Sequence, residues 1–216
     1  MKARREYYAI ARKQNVPIIG SHIAMAGVNM FPENPKDKRK DHDKNYFSKW
    51  SINFSDEDAR AIHESDGIMG IALHEGRMPG GKATKKLKKI KKQIKRGLVL
   101  EEELRYEYMR LAASNIFQII YAIGEKSAWT RIMIGSDYDG IMNPFDIYPR
   151  SGYFQRFIYD LEKFLEKPGS LIIYKNGTEA TLSSKEIAQY MYGYKPRELA
   201  EMIAIKNFEN FIQRHF

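Results

Sequence analysis

The chain has 216 residues, 43% of them hydrophobic and 29% charged, with 36 Lys and Arg against 27 Asp and Glu and no cysteine. That size supports one domain with a sizeable core. The missing thiols exclude a disulfide framework, a cysteine nucleophile and Cys-ligated zinc, and no apolar run approaches the ~18–20 residues needed to cross a bilayer.

The opening MKARREYYAIARKQ reads as a charged amphipathic helix over 2–14 rather than a signal peptide, with Tyr7, Tyr8, Ile10 and Ala11 on one side. VPIIGS (16–21) reads as a buried strand. A polar stretch over 27–51 is long for a simple connection and reads as an excursion. Ser55 ahead of Asp56, Glu57 and Asp58 marks the start of a helix running to Glu64. GIMGIAL (67–73) is a second short apolar run. The segment KATKKLKKIKKQIKR (82–96) holds nine basic residues and no acidic one. Without it the chain has 27 basic residues against 27 acidic, so the positive charge is one local feature.

A helix over 100–123 carries Leu104, Tyr108, Leu111, Ile116 and Ile119 on its apolar side. TRIMIGS (130–136) repeats the strand pattern, and 152–166 is an amphipathic helix. Asn176-Gly177 between two β-prone runs marks a hairpin over 171–181. Helices over 183–192 and 196–213 end the sequence, with Pro196 at the first turn of the second. Helices alternating with short, fully apolar strands predict an α/β fold with a parallel sheet covered on both faces.

The residues just beyond these strands carry the chemistry. VPIIGS leads to His22, GIMGIAL to His74 and Glu75, and RIMIGS to Asp137 with Asp139 two residues on. Active sites in α/β folds are built at the carboxyl ends of parallel strands. These are nitrogen and oxygen donors, so the set suggests a hydrolytic metal site without thiolates. Each residue also has a plain reading: His22 as a turn residue, His74 and Glu75 as the start of a loop, Asp137 and Asp139 as caps of a tight turn. His42 reads as a solvated loop residue, while His63 and His215 have no nameable partner.

PIIGSH, SINFSDEDARAIHESDGIMGIAL, IGSDYDG and NFENFIQRHF, in this order, together resemble the membrane dipeptidase (renal dipeptidase) family. The resemblance implies the C-terminal part of a TIM-type (β/α)8 metallohydrolase barrel, about three parallel strands with flanking helices. Residues 1–216 would form a single partial barrel domain, with a loop excursion at 27–51 and a basic helical excursion at 82–98. It implies a pair of zinc ions with His22 as a ligand, Asp137 as the catalytic carboxylate, and a small dipeptide-like amide as substrate. His74, Glu75 and Asp139 are weaker candidates. The chain departs from the family in two places. Ile52 stands where the family has its substrate-carboxylate arginine, for which Lys49 or Arg77 could substitute. The family's His-x-Asp pair, bridging glutamate and fifth-strand histidine have no counterparts. The expectation is therefore a fragment of a longer protein, or a chain begun at an internal methionine. Such a chain is expected to be inactive alone and to associate with the missing N-terminal half or with itself.

Within 82–96, Leu87, Ile90 and Ile94 form an apolar stripe on a cationic helix. The simpler reading packs that stripe on the body and leaves the lysines solvated, with neither nucleic acid nor membrane as a partner. The alternative is a non-enzymatic binding module that uses Lys85, Lys88 and Lys92 on phosphates or an anionic membrane.

Overall fold

A computed structural model describes residues 2–31, 44–138, 140 and 143–216. Its elements run α1 (Lys2–Gln14), β1 (Ile19–Ile23), α2 (Asp56–Glu64), β2 (Ile68–Ile71), α3 (Gly81–Ile94), α4 (Glu101–Ile123) and β3 (Ile132–Ile134). Next come α5 (Phe154–Glu166), the hairpin β4 (Leu171–Lys175) and β5 (Thr178–Leu182), α6 (Ser184–Tyr190), α7 (Pro196–Glu201) and α8 (Asn207–His215). A π-helical turn, Met202–Lys206, joins the last two helices.

The fold is α/β. β1, β2 and β3 form a three-stranded parallel sheet in that order, and among the described residues it does not close into a barrel. Gly20, Met69 and Ile132 are aligned across it. The Cβ direction at Gly20 meets Phe54 and Ile62, so this face looks onto α2. On the other face the Ser21 carbonyl lies over Gly70 and Gly135, where any Cβ would overlap it. The pairing of β1 slips between Gly20 and Ile23, a bulge that carries this carbonyl across its neighbours.

The central strand β2 is buried throughout, as its apolar run predicts. β1 differs from expectation. It spans Ile19–Ile23 rather than 16–21, and Val16 and Ile19 are exposed, because an edge strand with one open face cannot be covered all round.

α1 lies on α2. Arg4 and the Tyr8 hydroxyl both reach Asp58, while Arg5 pairs with Glu57 and Arg12 with Glu64. Tyr8 and Ala11 are buried, but Tyr7 and Ile10 of the same apolar side are exposed. α2 starts on a reciprocal box in which Ser55 and Asp58 each bond the other's backbone N–H.

The sequence places one apolar side on α4, yet the second half of this helix is buried nearly all round. Its polar side chains serve backbone groups that lie outside any ladder. Asn115 Oδ1 accepts from Met25 N at 2.8 Å, and Ser114 Oγ accepts from Ile172 N at 3.0 Å. Gln118 accepts from Tyr174 N and donates to Tyr174 O, at 2.7 and 3.2 Å. A buried backbone group must find a partner, so these residues are as much a part of the core as the leucines. The hairpin turns at Asn176 and Gly177, with φ of 51° and 77°, the two left-handed positions of a type I′ turn.

Of the expected 27–51 excursion, 32–43 lie outside the described residues, His42 among them. Its flanks pack inward: Phe31, Tyr46 and Phe47 are buried, and Phe47 bridges to Pro79. The basic excursion is α3, with Leu87 and Ile90 buried and Ile94 packed against the core. No helix of the described residues is long and apolar enough to cross a membrane.

Candidate functional site

The carboxyl ends of β2 and β3 bring together His74, Arg77 and Asp137. The segment after β2 turns tightly. Met78 N and Arg77 N both bond His74 O, and His74 forms a bridge with Pro144. Gly76 N donates to His74 Nδ1 at 2.9 Å, which leaves Nε2 to carry the proton of the neutral ring. Burial, and then the Arg77 cation, lower the His74 pKa, while the Asp137 charge acts the other way. The ring is therefore a neutral N–H donor at pH 7.

Arg77 is half-buried and spans two residues of the preceding loop. Its Nε donates to Asn53 Oδ1 at 3.1 Å and its Nη2 to Ile52 O at 3.3 Å. Asn53, fully buried, returns a bond from Nδ2 to Arg77 O at 3.0 Å and another to Ser48 O at 2.9 Å. The guanidinium is thus held against the backbone of Ile52 and the side chain of Asn53. Burial and the nearby Arg4 cation lower its pKa, and the Asp137 charge opposes them. The Asp137 charge acts on Arg77, yet among the described residues the two do not close an ion pair with each other.

Asp137 is exposed and adopts φ 54°, the left-handed region that Asp tolerates better than most residues. Its carbonyl accepts from Gly140 N at 3.0 Å, and its carboxylate folds back over Gly140, where a Cβ would meet Oδ1 at 2.5 Å. The turn sets the carboxylate at the end of β3 instead of along the strand.

The other expected residues fall elsewhere. His22 lies inside β1 at the bulge rather than beyond its end, exposed, with Nδ1 2.8 Å from Ser21 Oγ. Glu75 is tied to α3: Lys91 Nζ donates to both its oxygens, at 2.6 and 2.7 Å, and pairs with Asp146 at 2.7 Å. Burial alone would disfavour the Lys91 cation, but its bonds to Asp146 and Glu75 raise its pKa above the usual value. Asp139 lies outside the described residues. Lys85, Lys88 and Lys92 are exposed on α3, far from the strand ends in sequence and turned away from the buried stripe. His63 and His215 are structural, with His63 bonded to Ser127 and paired with Glu125, and His215 paired with Asp66.

A family-type zinc pair can be tested against these placements. Among the described residues no three His, Asp or Glu side chains are gathered as a metal ion requires. His22 and Asp137 stand on strands separated by β2, and Glu75 is neutralised by Lys91. The described residues do not by themselves make up a metal centre. What they do make is a rim bearing a cation, a carboxylate and a neutral imidazole.

Sequence reasoning named Arg77 only as a possible substitute, and it missed Asn53 and Arg4 as the residues that hold that corner together. Arg4 donates to the carbonyls of Ser51, Ile52 and Asn53. No local pattern ties residue 4 to residues 51–53; only the docking of α1 on α2 does so. Compared with protein-family models and with curated proteins, the chain matches none.

Proposed function

We propose that the β2–β3 rim is the substrate-binding part of an amidohydrolase site for a small dipeptide-like molecule, within the C-terminal part of a TIM-type barrel. The observation that carries this reading is the placement of Arg77 and Asp137: opposite charges, electrostatically coupled and not paired, at the carboxyl ends of adjacent parallel strands. A dipeptide zwitterion carries the complementary charges. Its carboxylate suits the guanidinium, whose Nη1 has no partner among the described residues. Its ammonium suits Asp137, which can also take or return a proton at its carboxylate oxygens. The neutral His74 offers Nε2–H to a carbonyl oxygen. In the same reading His22 is this chain's candidate ligand for a zinc pair whose other ligands the described residues do not gather. The remaining ligands would come from outside the described residues, and a sheet that does not close among those residues leaves room for completion by further strands or by association. The 216 residues alone are therefore expected to bind and not to turn over.

The test is an NMR or calorimetric titration of the full chain with a free dipeptide, its C-terminal amide and its N-acetyl derivative. Losing one charge-assisted hydrogen-bonded pair weakens binding about tenfold to a hundredfold. We expect losses of that size for the amide, and for Arg77→Gln with the free dipeptide. Arg77→Lys, which keeps the charge, should retain part of the affinity and control for folding. Equal affinity for the free dipeptide and its amide refutes the assignment.

A further inference from the structure

Eight of the nine basic residues of 82–96 are sorted by α3 and the turn that ends it into two sets. Lys82, Lys86 and Lys91 flank the buried Leu87 and Ile90 and pair with Glu179, Glu107 and the Glu75–Asp146 couple. Lys88, Lys89, Lys92, Lys95 and Arg96 are exposed and meet no carboxylate among the described residues. At 3.6 residues per turn Lys88, Lys89 and Lys92 fall within an arc of roughly 100° opposite the buried stripe, and Lys95 and Arg96 follow in the turn that ends the helix. Like charges at i, i+4, such as Lys88 with Lys92, disfavour the isolated helix. Nothing in the local fold requires them.

A second observation lies at the end of the same helix. Gly97, at φ 69°, turns the chain into α4, and the turn exposes Leu98 and Leu100, 66% and 73% accessible. Leu100 is the N-cap of α4 and makes no side-chain capping bond. A Ser, Thr, Asp or Asn there would serve the helix better. Glu101, Glu102 and Glu103 come next, the first two sharing Arg105. Five such cations against three carboxylates still leave this end of the molecule positive.

The apolar groups beside the cations are aliphatic, and among the described residues no exposed aromatic is interleaved with them to stack on bases. Basic residues beside exposed leucines instead match the headgroup–acyl boundary of a negatively charged bilayer. We propose that the outer face of α3 and the 97–100 turn form a docking surface for an anionic lipid membrane. The cations meet the headgroups, and Leu98 and Leu100 enter the boundary. The surface is separate from the strand-end rim and does not depend on the function proposed for it.

The test is co-sedimentation of the full chain with phosphatidylcholine vesicles, with and without about one-third phosphatidylserine, at low and high salt. Binding is expected only with phosphatidylserine and should fall steeply with salt. Each Lys near such a surface contributes about fivefold in partitioning. Combining Lys88→Gln, Lys92→Gln and Lys95→Gln should therefore lower it about a hundredfold. Leu98→Ser with Leu100→Ser should lower it about tenfold, with the circular dichroism of both variants unchanged. No binding to phosphatidylserine vesicles overturns the proposal. So does full binding by either variant, and so does tighter binding to duplex DNA or RNA than to the vesicles.

Discussion

Replacing Asp56 by Asn should remove a specific pH dependence from the stability of this protein. Asp56 is 2% exposed at the start of α2, and its Oδ1 accepts from Gln118 Nε2 at 2.9 Å. Burial pushes its pKa up from 3.8 to about 6, against the opposing hydrogen bond from Gln118 and the charge of Arg60. Because the folded pKa lies above the unfolded one, the folded state holds the proton more tightly. Stability is therefore full at low pH, falls as pH rises between 3.8 and about 6, and stays lowered above that window. Two pKa units correspond to roughly 3 kcal/mol, of which about 2.5 kcal/mol develops between about pH 4 and pH 8. Asp56→Asn keeps the acceptor for Gln118 and cannot ionise. The new amide N–H groups shift its stability by a constant that cancels when the two proteins are compared across pH. Urea unfolding of both proteins at several pH values should show the variant gaining about 2–3 kcal/mol on the parent from acid to neutral pH. Parallel pH profiles, within about 1 kcal/mol, would refute the reasoning.

Two further changes probe the frame that carries the rim. Gly135→Ala places a methyl group against the Ser21 carbonyl and 3.1 Å from the Gly70 carbonyl carbon. Both neighbours are backbone, so the change should cost about 3 kcal/mol or more, read from chemical denaturation; a loss below about 1 kcal/mol would mean that β1 can move aside. Ile205, Phe208, Ile212 and Phe216 are exposed along one side of the closing helix. An apolar stripe of that kind is an association surface, so sedimentation velocity should show self-association that Phe208→Ser with Ile212→Ser reduces without lowering Tm. Unchanged association in that variant would place the contact elsewhere.

Much of the rim was readable along the chain. The strands ending before His74 and Asp137 show as short apolar runs bounded by glycine, since a covered parallel strand is apolar on both faces. His22 was displaced because the run VPIIGS resembles a buried strand, whereas the ladder begins only at Ile19. Glu75 looked like a donor for a site because nothing in its neighbourhood announces Lys91, sixteen residues on and brought back by α3.

The sequence by itself determined the local elements, which depend on signals only a few residues apart. These include the capping pair Ser55 and Asp58, the left-handed turn at Asn176-Gly177 and the three-to-four-residue stripe of α3. The tertiary structure alone decided which polar groups became interior. Ser114, Asn115 and Gln118 are buried because strand edges from distant segments need their hydrogen bonds. Arg77 stands at Ile52 because Asn53 is anchored on both sides. Unpaired backbone groups and buried charges take partners wherever packing supplies them, at any separation along the chain.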